Sequence, residues 1–268
     1  MTTTTQAIEV KDLVKSFGTI TAVDHISFDV DAGKIFGFLG PNGAGKTTTI
    51  KMLTTTLRPS SGSILLDGHD PVRRPLDARR SFGIVFQDPS LDGEMTAYEN
   101  MELHAVMYHV PSAERRARIE NLLKFVELWE RKASFAKTFS GGMKRRLEIA
   151  RALLHTPRIL FLDEPTLGLD PQTRNHIWGY IQNLAHEKNM TVFFTTHYMD
   201  EAERVADEVA IVDRGKIVSR GTPSFLKEST KTSSLEAAFI ALTGRAIRDD
   251  EASAQDRMRT MSRVWGRS

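Results

Sequence analysis

The sequence predicts an α/β fold in which helices flank a mostly parallel sheet, an antiparallel edge sheet lies at the N-terminus, and an all-helical subdomain is inserted in the core. Three observations predict it. Short, nearly all-apolar segments alternate with segments of helical periodicity, as in parallel sheets buried on both faces. Near the N-terminus, two segments alternate apolar and polar residues instead. From residue 96 to residue 154 the pattern is helical without a strand.

The composition fits a soluble globular protein. The chain has 268 residues, of which 40% are hydrophobic and 26% are charged, and its net charge is +2. This charge does not favour a nucleic-acid partner, and the absence of cysteine excludes disulfides and thiol chemistry. No apolar run approaches the roughly 20 residues of a membrane span, and the first residues do not resemble a secretory signal. We expect any membrane-spanning part to come from another chain.

The first strands are predicted from their patterns of apolar residues. Residues 8–14 and 22–30 are half-exposed strands that form the antiparallel edge sheet. Residues 34–40 are nearly all apolar and form a buried strand. Two more strands are predicted at residues 62–68 and 82–87.

The helical regions follow from the 3.6-residue period. After the third strand, a threonine-rich helix is expected to place Ile50, Leu53 and Leu57 on one face, although threonine is a weak helix former. In the inserted block, Ser112 is expected to cap a helix. The three basic residues Lys144, Arg145 and Arg146 are expected to form a solvated helix face near phosphate rather than a nucleic-acid site.

The C-terminal half adds two buried strands at residues 158–164 and 191–197. A hairpin is predicted to turn at Arg214 and Gly215, and a short helix is predicted to end at Gly244. We expect a first domain at residues 1–230, with the helical subdomain inserted at about 88–154. Residues 231–268 are expected to form a C-terminal helix and a charged tail, in which Trp265 has no assigned role.

A phosphate-binding loop is predicted at GPNGAGKT, residues 40–47, because it matches G-x-x-x-x-G-K-[ST] between a buried strand and a helix. Such glycines let backbone N–H groups surround phosphate oxygens at a helix N-terminus. Lys46 is expected to contact the β- and γ-phosphates, and Thr47 to bind Mg²⁺. The motif indicates a P-loop NTPase core, with a nucleotide site formed by Gly40, Pro41, Asn42, Gly43, Ala44, Gly45, Lys46, Thr47 and Thr48.

A second motif, ILFLDEP, ends a buried strand with two carboxylates at the edge of the sheet where ligands bind. Asp163 is expected to hold Mg²⁺ through water. Glu164 is expected to lie beside the γ-phosphate and to polarise the attacking water. An Asp-Glu pair at a strand end can also be merely solvated, but the full phosphate loop favours the catalytic interpretation.

A third motif, FSGGM, opens a helix shortly before that strand. Ser140, Gly141 and Gly142 resemble the signature of the ATP-binding cassette (ABC) ATPases, whose motifs occur in the same order between about residues 8 and 217. Met143 stands where the most familiar form of the signature has glutamine. The resemblance implies further roles: adenine stacking for Phe17, a hinge and Mg²⁺ contact for Gln87, a dimer loop with Asp170, and a catalytic switch histidine at His197.

The resemblance also implies an assembly, with ATP and Mg²⁺ as cofactors. In this family two nucleotide-binding domains pack head to tail, and the signature of one closes on the ATP of the other. ATP binding would favour the closed dimer and hydrolysis would release it. The second domain would be an identical copy or a paralogue.

The forms FSGGMKRRLEIARAL and QDPSLDGEMTAYENM resemble the ATP-binding subunits of drug-resistance exporters of the daunorubicin type. This implies an ATPase that powers separate permease subunits from the cytoplasmic face of the cell membrane and that exports a drug-like or lipophilic compound. The permease contact is expected in the helical insert after Gln87, including residues 95–101. Two alternatives remain open: a soluble ABC-type ATPase that acts on ribosomes or DNA, and an importer subunit.

Overall fold

The computed structural model describes residues 6–244 of the chain. The strands of this range form two sheets. In chain order they are β1 (Gln6–Phe17), β2 (Ile20–Asp31), β3 (Ile35–Leu39), β4 (Ser61–Leu66), β5 (Phe82–Val85), β6 (Ile159–Asp163), β7 (Thr191–Thr196), β8 (Glu208–Asp213) and β9 (Lys216–Gly221).

The α-helices of the described range lie between or after these strands. They are α1 (Lys46–Leu53), α2 (Pro75–Ser81), α3 (Ala97–Met107), α4 (Ser112–Phe125), α5 (Gly141–Ala152), α6 (Pro171–Lys188), α7 (Met199–Val205), α8 (Pro223–Thr230) and α9 (Leu235–Thr243). Two single 3₁₀ turns, Trp129–Arg131 and Ala136–Thr138, connect α4 to α5. Among residues 6–244, no helix has both the length and the apolarity that crossing a bilayer requires.

The sheet topology confirms the predicted α/β class. Strands β2, β1 and β4 form an antiparallel sheet, and the second sheet has the order β5-β6-β7-β3-β8-β9. Within the second sheet β5, β6, β7, β3 and β8 are parallel, and only β9 is antiparallel to its neighbour. The carboxyl ends of β3, β6 and β7 therefore meet at one edge, where the phosphate loop and the carboxylate motif follow their strands.

Aromatic side chains join the two sheets. Phe28 of β2 stacks on Phe36 of β3 and on Phe193 of β7, with ring centroids 5.7 and 5.9 Å apart. All three rings are at most 3% exposed. On the other face of the parallel sheet, Trp178 of α6 packs edge-on against Phe194 at 4.8 Å. The strands that carry the site are thus buried on both faces, which explains their continuous apolar sequences.

The inserted block forms its own apolar cluster, which spans positions 97–154 and includes Met101, Ile119, Leu123 and Leu147. A capping box begins α3: the hydroxyl of Thr96 accepts from the amide of Glu99, whose carboxylate accepts from the amide of Thr96. Helices α3, α4 and α5 surround this cluster, as the helical pattern predicts.

Several local predictions need correction. Helix α1 ends at Leu53, so Leu57 lies outside it and packs against the core from the following turn. The N-cap of α4 is Pro111, which leaves Ser112 as the first helical residue. Strand β5 ends at Val85. Gln87 therefore lies in the following loop and does not end the strand.

Other turns are as predicted. Arg214 and Gly215 both have positive φ angles, 48° and 79°, and join β8 to β9 as a tight hairpin. Gly244 ends α9 with a left-handed conformation at φ 71°. Gln6 is the first residue of β1. Residues 1–5 and the charged tail with Trp265 lie outside the described residues.

Candidate ATP-binding and hydrolysis site

The phosphate loop is shaped by glycines at positions where a side chain cannot fit. Gly45 is the N-cap of α1 and has φ 102°. A Cβ atom on Gly45 would lie 2.5 Å from the carbonyl oxygen of Ala22, and one on Gly40 would lie 2.3 Å from that of Val212. The loop therefore packs closely against β2 and β8 while the first amides of α1 remain available at its mouth. This is the arrangement that an anionic phosphate requires.

Lys46, the first residue of α1, is buried within the loop. Its Nζ donates to the carbonyl oxygens of Gly40 at 2.7 Å and Pro41 at 3.2 Å. The same Nζ lies 3.2 Å from Oε1 of Glu164, and both side chains are about 95% buried. The lysine charge is thus fixed between the phosphate loop and the end of β6.

Asp163 and Thr47 bring two hard oxygen ligands together. The hydroxyl of Thr47 donates to Oδ1 of Asp163 at 3.4 Å, and Thr195 of β7 donates to the same oxygen at 2.6 Å. Burial raises the pKa of Asp163, the hydrogen bond from Thr195 opposes this, and the charge of Glu164 acts with burial. Hydroxyl and carboxylate oxygens beside a phosphate loop fit Mg²⁺, which binds one or two carboxylates together with substrate phosphates.

Glu164 follows β6 with a left-handed backbone at φ 48°. Its amide donates to the carbonyl and to the hydroxyl of Thr195, and its Oε2 lies 3.0 Å from Nδ1 of His197. Burial opposes ionisation of this carboxyl. The hydrogen bond with His197 and the charge of Lys46 outweigh burial and keep the pKa of Glu164 below its ordinary value. The carboxylate is therefore ionised and oriented at neutral pH.

A cavity of about 290 Å³ lies at this edge of the sheet. Gln87 and Glu164 line it together with the loop, so the structure brings Gln87 to the predicted nucleotide site. Ala22 also lines it and was not predicted; its only sequence signal is its place at the start of a strand. The lining is formed by Ala22, Pro41, Asn42, Gly43, Gly45, Lys46, Thr47, Thr48, Gln87 and Glu164.

Phe17 is not among the residues that line this cavity. It is the last residue of β1, is 50% exposed, and has the ammonium group of Lys15 5.0 Å from its ring centroid. The ring is thus an exposed platform at the end of the antiparallel sheet. Its predicted stacking on adenine stays a prediction.

The signature segment lies at the start of α5. Ser140 is the N-cap, and its hydroxyl accepts from the amide of Met143 at 3.3 Å. The backbone of Gly142 approaches α6 so closely that a Cβ would lie 2.5 Å from Cγ2 of Thr173. Asp170 caps α6 by accepting from the amide and hydroxyl of Thr173. The signature and the loop of Asp170 therefore share one surface, and both Ser140 and Asp170 are exposed.

The basic segment at the start of α5 departs from the prediction of a solvated face. Arg145 is 6% exposed and donates to the carbonyl oxygens of Phe86 and Gln87. These carbonyl oxygens lie in the loop that follows β5, and the two hydrogen bonds hold the guanidinium inward against that loop. A single sequence does not reveal which of three adjacent basic residues faces such carbonyls.

Comparison with known proteins identifies the class of this fold and site. The family model described as ABC transporter matches residues 23–167. The chain is 40% identical over 251 residues to the daunorubicin/doxorubicin resistance ATP-binding protein DrrA of Streptomyces peucetius, covering 94% of this chain and 76% of that protein. It is 42% identical to the Nod factor export ATP-binding protein I of Paraburkholderia xenovorans, covering 82% and 72%.

Solved structures agree with this. The structure of an ATP-binding subunit of an ABC transporter is 32% identical in sequence and has a TM-score of 0.81. The match covers 88% of this chain and 99% of that one. Another, a dimeric post-hydrolysis state of the ATP-binding cassette MJ0796 bound to ADP and Pi, is 28% identical, with a TM-score of 0.72, covering 80% and 98%. The chain belongs to the ABC transporter family. It is an ATPase, and ATP with Mg²⁺ is its ligand.

Proposed function

We propose that this chain is the ATP-hydrolysing subunit of an exporter, working at the cytoplasmic face of the cell membrane beneath separate permease subunits. The observation that carries the proposal is its similarity over 94% of its length to a drug-resistance ATP-binding protein. A second relative is also a resistance protein: the linearmycin resistance ATP-binding protein LnrL of Bacillus subtilis is 41% identical over 82% of the chain. We expect the exported compound to be drug-like or lipophilic.

The hydrolytic step is assigned to Glu164. Its carboxylate is ionised, buried and held by His197, so it can accept a proton from a water molecule in line with the γ-phosphate. Lys46 offers its charge to the β- and γ-phosphates from the base of the loop. Thr47, Asp163 and Gln87 are the residues that would hold Mg²⁺, which would neutralise phosphate charge when bound.

The signature is assigned to the nucleotide of a second cassette. Ser140, Gly141 and Gly142 do not line the cavity of their own chain, and they lie on an exposed surface beside Asp170. The backbone amides at the start of α5 suit a phosphate that arrives from outside. Two copies, or this chain and a paralogue, would then enclose two ATP molecules between a phosphate loop and a signature.

The permease surface is assigned to the exposed side of α3. Leu103, Val106 and Met107 are 46%, 45% and 64% exposed on this helix. Within the predicted contact at residues 95–101, Met101 is fully buried in the helical subdomain, so this residue would not be part of the surface. A row of exposed apolar side chains on one helix is typical of a protein–protein contact.

Affinity purification of the tagged chain from native membranes in mild detergent, with mass spectrometry, tests this function. We expect a stoichiometric multi-span membrane protein to copurify. The variant Met107→Glu should lose that protein while keeping its ATPase, whereas Val218→Glu, at an exposed apolar position on β9, should retain it. A chain that stays soluble and brings ribosomal or DNA-associated proteins instead would overturn the exporter assignment.

A further inference from the structure

The loop that carries Gln87 is held from one side by helix α5. Arg145 donates through Nη1 to the carbonyl oxygen of Phe86 at 2.6 Å and through Nη2 to that of Gln87 at 3.0 Å. Its guanidinium is thus bound to two successive peptide units on either side of the Gln87 Cα. Because the donors of arginine have a fixed planar geometry, these two bonds set the orientation of the loop and not merely its distance.

Two further residues of α5 hold the other end of the same loop. Oε1 of Glu148 accepts from the amide of Ser90 at 2.7 Å, and Oε2 lies 3.3 Å from Nη1 of Arg145. Arg151 donates to the carbonyl oxygen of Ser90 at 2.7 Å and also to its hydroxyl. Positions 145, 148 and 151 are three residues apart and therefore lie on one face of the helix.

These contacts bury two charged side chains, although apolar side chains could fill the same space. Arg145 and Glu148 are 6% and 1% exposed. Burial raises the pKa of Glu148, and the amide of Ser90 and the charge of Arg145 oppose this. An apolar pair of similar volume often stabilises a core as well as a buried ion pair does. What the ion pair adds is a hydrogen-bonded network that specifies one position of the loop relative to α5.

The same helix carries the signature at its other end. Ser140 is the N-cap of α5, five residues before Arg145, or about 7.5 Å along the axis at the rise of an α-helix. An α-helix moves as a rigid element over such a length. A displacement of Gln87 that the guanidinium follows must therefore shift the first turn of α5 as well.

We propose that Arg145, Glu148 and Arg151 form a clamp that couples Gln87, in the chain's own ATP site, to the signature segment that serves the partner's ATP. The inference rests on the proposed roles of Gln87 and of Ser140 and adds the residues that connect them. These three are positioning residues, since none of them lines the nucleotide cavity or belongs to the signature. The clamp makes the response of the signature depend on the γ-phosphate in the same chain, so the two ATP sites of a dimer are linked through each subunit.

Hydrogen exchange of the monomeric full-length chain tests the coupling without a partner's nucleotide. The comparison is Mg·AMP-PNP against Mg·ADP, which differ at the γ-phosphate, at a protein concentration where the chain is monomeric. In the parent we expect the γ-phosphate to slow exchange at least about twofold in residues 86–91 and in residues 139–147. In Arg145→Met the slowing at 86–91 should persist and that at 139–147 should disappear.

Matched variants distinguish the loss of the clamp from a general loss of order in the protein. Arg145→Lys keeps the charge and should recover part of the response. Lys144→Met, a change on the same turn at a residue with no described bond to the loop, should behave as the parent. If Arg145→Met does not fold, Glu148→Gln keeps the shape and removes the charge, and it should reduce the response at 139–147 in the same way.

Steady-state kinetics give a second measurement. Arg145→Met should lower kcat about tenfold while the Kd for ADP, which has no γ-phosphate, stays within about twofold of the parent. An unchanged kcat, or an equal response at 139–147 in parent and variant, would overturn the clamp. A parent in which the γ-phosphate does not affect residues 86–91 would instead refute the proposed role of Gln87, and the clamp with it.

Discussion

At the scale of single residues, Lys46 and Glu164 decide the character of the site. Both are buried, and 3.2 Å separates Nζ from Oε1. Removing one partner of a buried ion pair typically costs about 3–5 kcal/mol because the other charge is left uncompensated. Glu164 also has His197 as a partner, so the carboxylate keeps one bond when Lys46 is removed. Substitutions at these two positions should therefore have different effects on nucleotide affinity and on hydrolysis.

The substitution Glu164→Gln should nearly abolish hydrolysis while nucleotide binding persists. The amide keeps the size and the contact with His197 but cannot accept a proton from water. We expect turnover to fall at least about 100-fold, the lower range for a lost general base, in a phosphate-release assay. Glu94→Gln, which neutralises an exposed glutamate on the insert, is the matched control. Equal turnover in Glu164→Gln and the parent would remove Glu164 from the base role.

The substitution Lys46→Ala should instead reduce nucleotide affinity. It removes the point charge that contacts the β- and γ-phosphates, and we expect the Kd for ATP measured by calorimetry to rise about 100-fold, or about 2.7 kcal/mol. Lys51→Ala, on the exposed side of the same helix, should bind as the parent does. A Kd that Lys46→Ala leaves unchanged would contradict the role of the phosphate loop.

The sequence predicts some of these residues better than others. Lys46, Asp163 and Glu164 follow from motifs whose chemistry fixes their surroundings. The stacking role of Phe17 rests on family resemblance alone and stays a prediction. Arg145 does not follow from a motif, and it is buried against loop carbonyls. The burial of Arg145 depends on where β5 ends relative to α5, a contact between positions 58 and 59 residues apart that no local pattern encodes.

At the scale of elements, prediction succeeds where burial dictates composition. Strands β3, β6 and β7 are buried throughout, so their sequences are continuous apolar runs that end near the predicted residues. The sequence predicts helix ends less well, because burial does not fix where a helix starts or stops. Helix α1 stops four residues before Leu57, and α4 begins after Pro111, whose fixed φ suits a helix start although it supplies no capping hydrogen bond.

Helix α3 allows an element-scale prediction. Its start depends on the reciprocal bonds between Thr96 and Glu99. Thr96→Ala removes the capping hydroxyl and should lower the free energy of unfolding by about 1 kcal/mol. Denaturant unfolding of the whole chain measures this, and Thr96→Ser, which keeps the hydroxyl, is the control. A stability equal in Thr96→Ala and Thr96→Ser would show that the capping box does not stabilise α3.

At the scale of the whole molecule, the fold separates the start of α1, in the phosphate loop, from the start of α5, which carries the proposed signature. The start of α1 faces the cavity between the phosphate loop and β6, whereas the start of α5 lies on the surface beside the loop of Asp170. One chain thus holds one internal nucleotide site and one external signature. In the proposed head-to-tail dimer, another cassette would supply what each of them lacks and would complete the site.

Mixing defective subunits tests this sharing of sites. Lys46→Ala chains keep an intact signature, and Ser140→Ala chains keep an intact phosphate loop, so a mixed dimer contains one site with both parts. If the chain pairs with its own copy, half of the dimers are mixed and each has one of two sites competent. ATPase should then rise to about a quarter of the parent value, if sites act independently and exchange is complete.

The control for that experiment is a double variant, Lys46→Ala with Ser140→Ala, mixed with Ser140→Ala chains. It exchanges subunits in the same way but never supplies a signature to an intact phosphate loop, so no gain is expected. A gain in the first mixture alone therefore requires that Ser140 of one chain serve the nucleotide bound at Lys46 of the other. Equal activity in both mixtures would count against composite sites, because each phosphate loop would then work with the residues of its own chain.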